Sequence, residues 1–183
     1  MRNLVFITSI HRHYFITGSR AMSDSKQLYQ EVILDHNRKP RNWGSLPAAT
    51  HRAEGHNPLC GDHISVTLEV AGDTVQAISF QGESCAICKA SASMMTTVVK
   101  GKSRVDSEQM VQEFRDMATG KLDPASPNHL GRLTVFAGVR DLPTRVKCAI
   151  LPWHTLHAAL NSVASTTTEA DADPMHAPMG NAS

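Results

Sequence analysis

Strict alternation is the clearest pattern in the chain. In His63-Ile-Ser-Val-Thr-Leu-Glu-Val, the residues Ile64, Val66, Leu68 and Val70 share one side and would face a core, as in a half-buried strand. Gly72-Asp73 supplies a turn, and Val75 to Phe80 reads as a second strand, so the pair predicts a hairpin. The period then changes. Lys26 to about Arg38 places Leu28, Val32 and Ile33 on one helical face, and Pro40 stops it. Ala86 to Lys100 reads as a helix ended by Gly101, with Ala90, Ser91, Ala92 and Ser93 small enough for close backbone packing. Asp106 with Gln109 has capping-box character, and Met110, Val111, Phe114 and Met117 form the apolar face of a helix that Gly120 ends. Asn128 to Val139 predicts a shorter helix with Leu130, Leu133 and Phe136 at helical spacing. Pro143 precedes a final helix from about Thr144 to Val163.

Two stretches have no period. Asn42 to Cys60 is rich in Pro, Gly and His and reads as a loop. From Ser165 the chain is Thr, Ala, Asp, Pro and Gly, which predicts a disordered tail over 165–183. Strands early and helices late indicate an α+β domain, here 23–164.

Composition narrows the picture. At 183 residues a single domain can bury a core without disulfides. With 41% apolar residues, 19% charged residues and a net charge of +1, nothing points to nucleic acid or a membrane surface. Residues 1–22 contain no Asp or Glu but carry Arg2, Arg12 and Arg20. That start resembles an organelle transit peptide. Its apolar run Leu4-Val-Phe-Ile-Thr-Ser-Ile is too short to span a bilayer and lacks a secretory cleavage site, so 1–22 reads as an N-terminal extension, disordered or upstream of the true start. Four cysteines without a secretion signal suggest a reducing, cytoplasmic setting, where spaced cysteines bind metals or react rather than form disulfides.

Three of those cysteines, with one aspartate, are the candidate chemistry. Cys60 and Asp62 sit in Asn57-Pro-Leu-Cys-Gly-Asp at a loop-to-strand junction, where Gly61 allows a sharp turn. Cys85 begins a helix, where free N–H groups and the dipole favour thiolate. Cys148 follows Arg145 and Lys147, cations that favour thiolate at a partly exposed position. Pro152 removes the N–H that the Cys148 carbonyl would accept, which predicts a kink or restart of that helix. Taken singly, Gly61-Asp62 is a turn and Cys85 serves equally as a small buried residue. Together, three thiolates and a carboxylate suit tetrahedral zinc or an iron–sulfur cluster. An oxygen ligand is harder and more exchangeable than sulfur, which suits a site that opens.

Cys88 makes a formal CxxC with Cys85, but no second CxxC exists to complete a zinc ribbon, so it reads as a core or supporting residue. His51 and His56 lie in the loop before Cys60, alternation turns His63 away from Asp62, and His154 and His157 lack a matching acidic partner. None of these histidines is assigned as a ligand.

Tyr29-Gln-Glu-Val-Ile-Leu-Asp-His, Asn57-Pro-Leu-Cys-Gly-Asp, Cys85-Ala-Ile, Lys89-Ala-Ser-Ala-Ser-Met-Met-Thr and Arg145-Val-Lys-Cys-Ala together resemble the U-type iron–sulfur cluster assembly proteins, most closely their SufU branch. A long stretch over roughly 102–123, and Lys147 before the last cysteine where IscU-type members carry histidine, mark that branch. The resemblance implies a small antiparallel sheet with helices packed on one side. It implies metal ligation by Cys60, Asp62, Cys85 and Cys148, with zinc as the metal or, as in IscU-type relatives, a cluster. It implies a zinc-dependent sulfurtransferase role, with Cys60 accepting persulfide sulfur from a SufS-type cysteine desulfurase and passing it toward a SufBCD-type complex. Ser84, where glycine is usual, and Cys88, where serine is common, depart from the family, as do His63 and Pro152. A scaffold that builds a cluster is the main alternative. A dithiol oxidoreductase using Cys85 and Cys88 leaves the other three residues unexplained, and a purely structural zinc domain makes poor use of an aspartate.

Overall fold

The computed structural model describes residues 17–169, with side chains described for Gln27 and from Tyr29 onward. The expectations for most of the N-terminal extension, for the end of the tail and for the Leu28 side chain fall outside these. Helix α1 (Thr17–Arg38) leads to strands β1 (His51–Asn57), β2 (Asp62–Ala71) and β3 (Thr74–Glu83). Helices α2 (Ala86–Val99) and α3 (Arg104–Ala118), a 3-10 segment (Gly131–Asp141), α4 (Pro143–Leu160) and β4 (Ser165–Thr167) complete the order. The sheet runs β3-β2-β1-β4, antiparallel except for the short β4, which adds parallel to β1. The fold is α+β, with α4 lying across β1 and β2 and packing on α2 and α3.

The hairpin is as its alternation predicts: Ile64, Val66 and Leu68 are fully buried. Val70 is only half-buried, because the register with β3 slips at Glu69/Val70. Beneath the sheet, Phe114 stacks on Trp153 at 4.5 Å and meets Phe136 edge-on at 5.6 Å. The small residues of α2 do bring helices close: Ser91 Oγ donates to Ala149 O at 2.7 Å and accepts from Trp153 Nε1 at 3.2 Å.

Five expectations need correction. The aperiodic loop contains β1, whose buried positions Ala53, Gly55 and Asn57 are too small or polar to register as an apolar alternation. Gly55 is required by α4, since a Cβ there would collide with the Thr155 hydroxyl. Ser165–Thr167 forms β4 instead of opening a disordered tail, because polar Thr and Ser can complete a sheet edge whose core is already filled. The cap of α3 is Ser103, whose hydroxyl accepts from Asp106 N–H, one turn earlier than Asp106 with Gln109. The segment after Asn128 is a 3-10 helix, and its spacing of three puts Leu130, Leu133, Phe136 and Val139 all inside. Finally, α4 passes through Pro152 as one helix without a restart, its fully packed surroundings holding it in line.

Candidate metal centre

Asn57 closes β1 and Asp62 opens β2, and the two face each other in register. Asn57 ties the turn between them. Its carbonyl accepts from Cys60 N–H at 3.3 Å and Gly61 N–H at 2.9 Å, and its Oδ1 accepts from Leu59 N–H at 3.2 Å. Gly61 sits at φ 70°, the left-handed conformation that lets the chain reverse so tightly. Cys60 is therefore held out at an exposed tip, while Asp62 enters the sheet and is buried.

From the other side, α4 presents Cys148, fully buried, with its sulfur 3.1 Å from that of Cys60. Asn57 Nδ2 points at Cys148 Sγ from 3.7 Å. The donor atoms of Cys60, Asp62 and Cys148 all lie within 4.8 Å of one another. Cys85 stands beside this group. It is the N-cap of α2, its N–H donates to Asp62 Oδ1 at 2.7 Å, and its sulfur accepts from Cys88 N–H at 3.5 Å. Folding thus assembles Cys60, Asp62 and Cys148 and joins Cys85 to them through Asp62 and Cys148.

The thiols share their protons unequally. A hydrogen bond from the Cys148 thiol pulls Cys85 down to about 6; the N–H groups of Cys88 and Ile87 add to this, against the cost of burial. The same bond, with burial and the contact to Cys60, pushes Cys148 up. This reverses the expectation that neighbouring cations make Cys148 a partly exposed thiolate. Arg145 lies near it: interaction with the Cys148 sulfur, reinforced by Cys85 and Cys60, raises the guanidinium's own pKa. Lys147 is instead engaged by Glu169, at 3.2 Å. Cys88 is fully buried, and burial pushes its thiol well up, in keeping with a core role.

One atom bears on a cation directly. Asp62 Oδ2 is buried and has no hydrogen-bond partner among the described residues. An unpaired carboxylate oxygen in such a place is costly, and a cation shared with the adjacent thiolates satisfies it. Three sulfurs and one carboxylate oxygen fit zinc or an iron–sulfur cluster.

Asn57 is the residue whose role the sequence left unassigned. Its signal was an Asn before Pro in a short loop, a position suited to side-chain capping of a turn. His157 also gains an acidic partner that spacing along one helix could not reveal: its Nδ1 lies 2.5 Å from Glu108 Oε2 of α3. No helix among the described residues is long and apolar enough to cross a membrane.

Comparison with known proteins places this geometry in context. Residues 28–170 match the family described as NifU-like N terminal domain. The zinc-dependent sulfurtransferase SufU of Bacillus subtilis (strain 168) is 43% identical over 129 residues, covering 70% of this chain and 86% of the relative. The iron–sulfur cluster assembly scaffold protein IscU of Streptococcus pyogenes serotype M1 is 37% identical over 145 residues, covering 79% and 90%. Among solved structures, a candidate iron–sulfur cluster assembly scaffold protein for the SUF system from Fervidobacterium islandicum AW-1 superposes with a TM-score of 0.69 at 34% identity, over 74% of this chain and 98% of that one. A NifU-like N-terminal protein from Brucella abortus shares the fold at a TM-score of 0.68 and 22% identity, over 78% and 96%.

Proposed function

The chain belongs to the family of NifU-like N-terminal domains, and on that footing we propose that it serves iron–sulfur cluster assembly by carrying sulfur on Cys60. The observation that carries this reading is the pairing of an exposed Cys60 sulfur, on a glycine turn, with a buried Cys148 sulfur only 3.1 Å away. Cys60, Asp62, Cys85 and Cys148 would hold zinc, and the unpartnered Asp62 oxygen supports that assignment. Zinc bound there would keep the thiols deprotonated and mute their nucleophilicity.

The chain's own residues supply the rest. Cys60 can leave the group by movement of its turn, because that tip is exposed and its turn is held mainly by hydrogen bonds to Asn57. Its thiolate attacks the outer sulfur of a donor persulfide, the donor's S–S bond breaks, and the donor cysteine departs as thiolate. The Arg145 guanidinium, beside the thiols, offers positive charge to the transferred sulfur. Cys148 and Cys85 stay behind on their helices. The resemblance to SufU-like proteins points to a SufS-type cysteine desulfurase as the donor and a SufBCD-type complex as the recipient. The higher identity to the zinc-dependent sulfurtransferase supports transfer.

A second reading, a scaffold on which a cluster is built, is favoured by the same sulfur-rich donor set and by the relatives named IscU. Metal analysis and an absorption spectrum of protein purified without air separate the two. Colourless protein with one zinc supports transfer, and brown protein with iron and sulfide supports the scaffold. Sulfur labelling then tests Cys60: labelled persulfide should appear on that residue, and a Cys60→Ala variant that still accepts label would overturn its role.

A further inference from the structure

The outer face of the sheet carries a second set of donor atoms that the thiol site does not use. Alternation sends Asn57 and Asp62 inward, and it sends Glu54, His56 and His63 outward. His56 and His63 stand directly opposite each other across β1 and β2, with ring centroids 5.7 Å apart. His63 Nε2 lies 3.3 Å from Glu54 Oε2, and Glu83 faces His63 from β3. Strand β4 runs alongside, so Glu54, His56, His63 and residues 165–167 line a cavity of about 400 Å³.

An exposed ion pair accounts for His63 and Glu54 but makes no use of the His56 ring. Two imidazoles and one carboxylate on adjacent strands form a familiar donor set for zinc and its neighbours, leaving open positions for water. We propose that Glu54, His56 and His63 bind a divalent transition-metal ion of the zinc or nickel kind, on the opposite face of the sheet from the thiols. The His63–Glu54 contact is already made, and the exposed His56 ring, its centroid 5.7 Å from that of His63, is the third donor of the proposed site. The two sites share a hairpin but no ligand, so each can be tested without the other.

The test uses full-length protein in two forms: with the thiol site loaded with one equivalent of zinc, and as a Cys60→Ser/Cys148→Ser variant that cripples that site. Nickel is titrated into each by calorimetry, and the imidazole resonances are followed by NMR. One further equivalent should bind in both forms and broaden the His56 and His63 signals. His56→Ala and His63→Ala should each weaken that binding by at least about tenfold, since loss of even an outer-shell partner costs about 10–100-fold. Glu54→Gln should weaken it less, and zinc at the thiols should remain in every case. The site is refuted if no further equivalent binds in either form, or if binding survives both histidine substitutions and follows His11 and His13 instead.

Discussion

The two sides of the thiol site are built differently. Cys60 rides on a four-residue turn, exposed and held by Asn57 through a few hydrogen bonds. Cys148 is fully buried in the first half of α4, where every residue from Cys148 to Leu156 is buried. One side can move with little loss of packed contact; the other cannot. A site that must give up one ligand and keep the rest needs this inequality, because ligands on equally rigid supports would open together or not at all.

The sharpest way to break the comparison is to remove each sulfur in turn. Cys60→Ala should abolish sulfur acceptance yet, in metal-free protein, change unfolding free energy by less than about 0.5 kcal/mol, as for exposed positions generally. Cys148→Ala should destabilise the fold by about 1–3 kcal/mol, because it leaves the Asn57 amide without its buried partner. It should also lower metal content. Labelled-sulfur transfer, denaturant unfolding and metal analysis read the two variants side by side. Equal stability losses would remove the distinction between the two supports.

Next is the contact that seats α4 on the sheet. Gly55→Ala pushes a methyl group into Thr155 and Leu151 of α4. Overpacking of this kind costs about 1–3 kcal/mol. The turn lies two residues beyond, so displacement of α4 should also move Cys148 away from Cys60 and weaken metal retention. Thermal unfolding with and without a chelator tests both. A variant as stable as the parent would mean that α4 is less firmly set than its burial implies.

A smaller effect tests the turn itself. Asn57→Ala removes the acceptor of Leu59 N–H and the donor to Cys148 Sγ. Leu59 is exposed, so water can satisfy its amide, and the net cost should be about 0.5–1.5 kcal/mol. Faster amide hydrogen exchange at Cys60 and Gly61, with little change in α4, is the expected signature. Equal acceleration in both regions would show that the turn and the helix open as one unit.

What the sequence made legible follows the same division. The hairpin was readable because its apolar residues alternate, α2 because small residues run up to Gly101, and α4 because Pro143 opens it; the four candidate site residues were readable only as a set, since each taken singly has an ordinary explanation. The strand β1 was hidden because its inward residues answer to α4, a contact more than ninety residues away along the chain, and not to a hydrophobic period. The same is true of the proton distribution. Arg145 and Lys147 looked alike beside Cys148, yet one interacts with the thiols and the other is taken by Glu169. Local pattern identifies the groups; only their packing decides which is charged.

The smallest expected effect asks whether the rigid half has a pH response of its own. His36 of α1 meets Ser93 of α2 at the seam between these helices, its Nδ1 2.8 Å from Ser93 Oγ. That hydroxyl accepts from Arg41 N–H at 2.8 Å, which leaves its proton available to a neutral His36 Nδ1 as acceptor. Burial, with Arg41 and Arg132 nearby, lowers the His36 pKa in agreement with this, although Asp35 opposes it. The folded state therefore resists a proton that the unfolded chain takes up near its ordinary value of about 6.5. Below that pH the unfolded state binds more protons, so this contribution is present at neutral pH and is lost as pH falls. Denaturant unfolding at about pH 7.5 and about pH 5.5 should show a steeper loss in the parent than in His36→Asn, which keeps an acceptor but does not titrate. Amide exchange at Cys60 and Gly61 should not follow that difference, since the seam belongs to the packed helices and the turn does not. If the turn's exchange tracks His36 instead, the two supports are coupled, and the freedom assigned to Cys60 belongs to the whole domain.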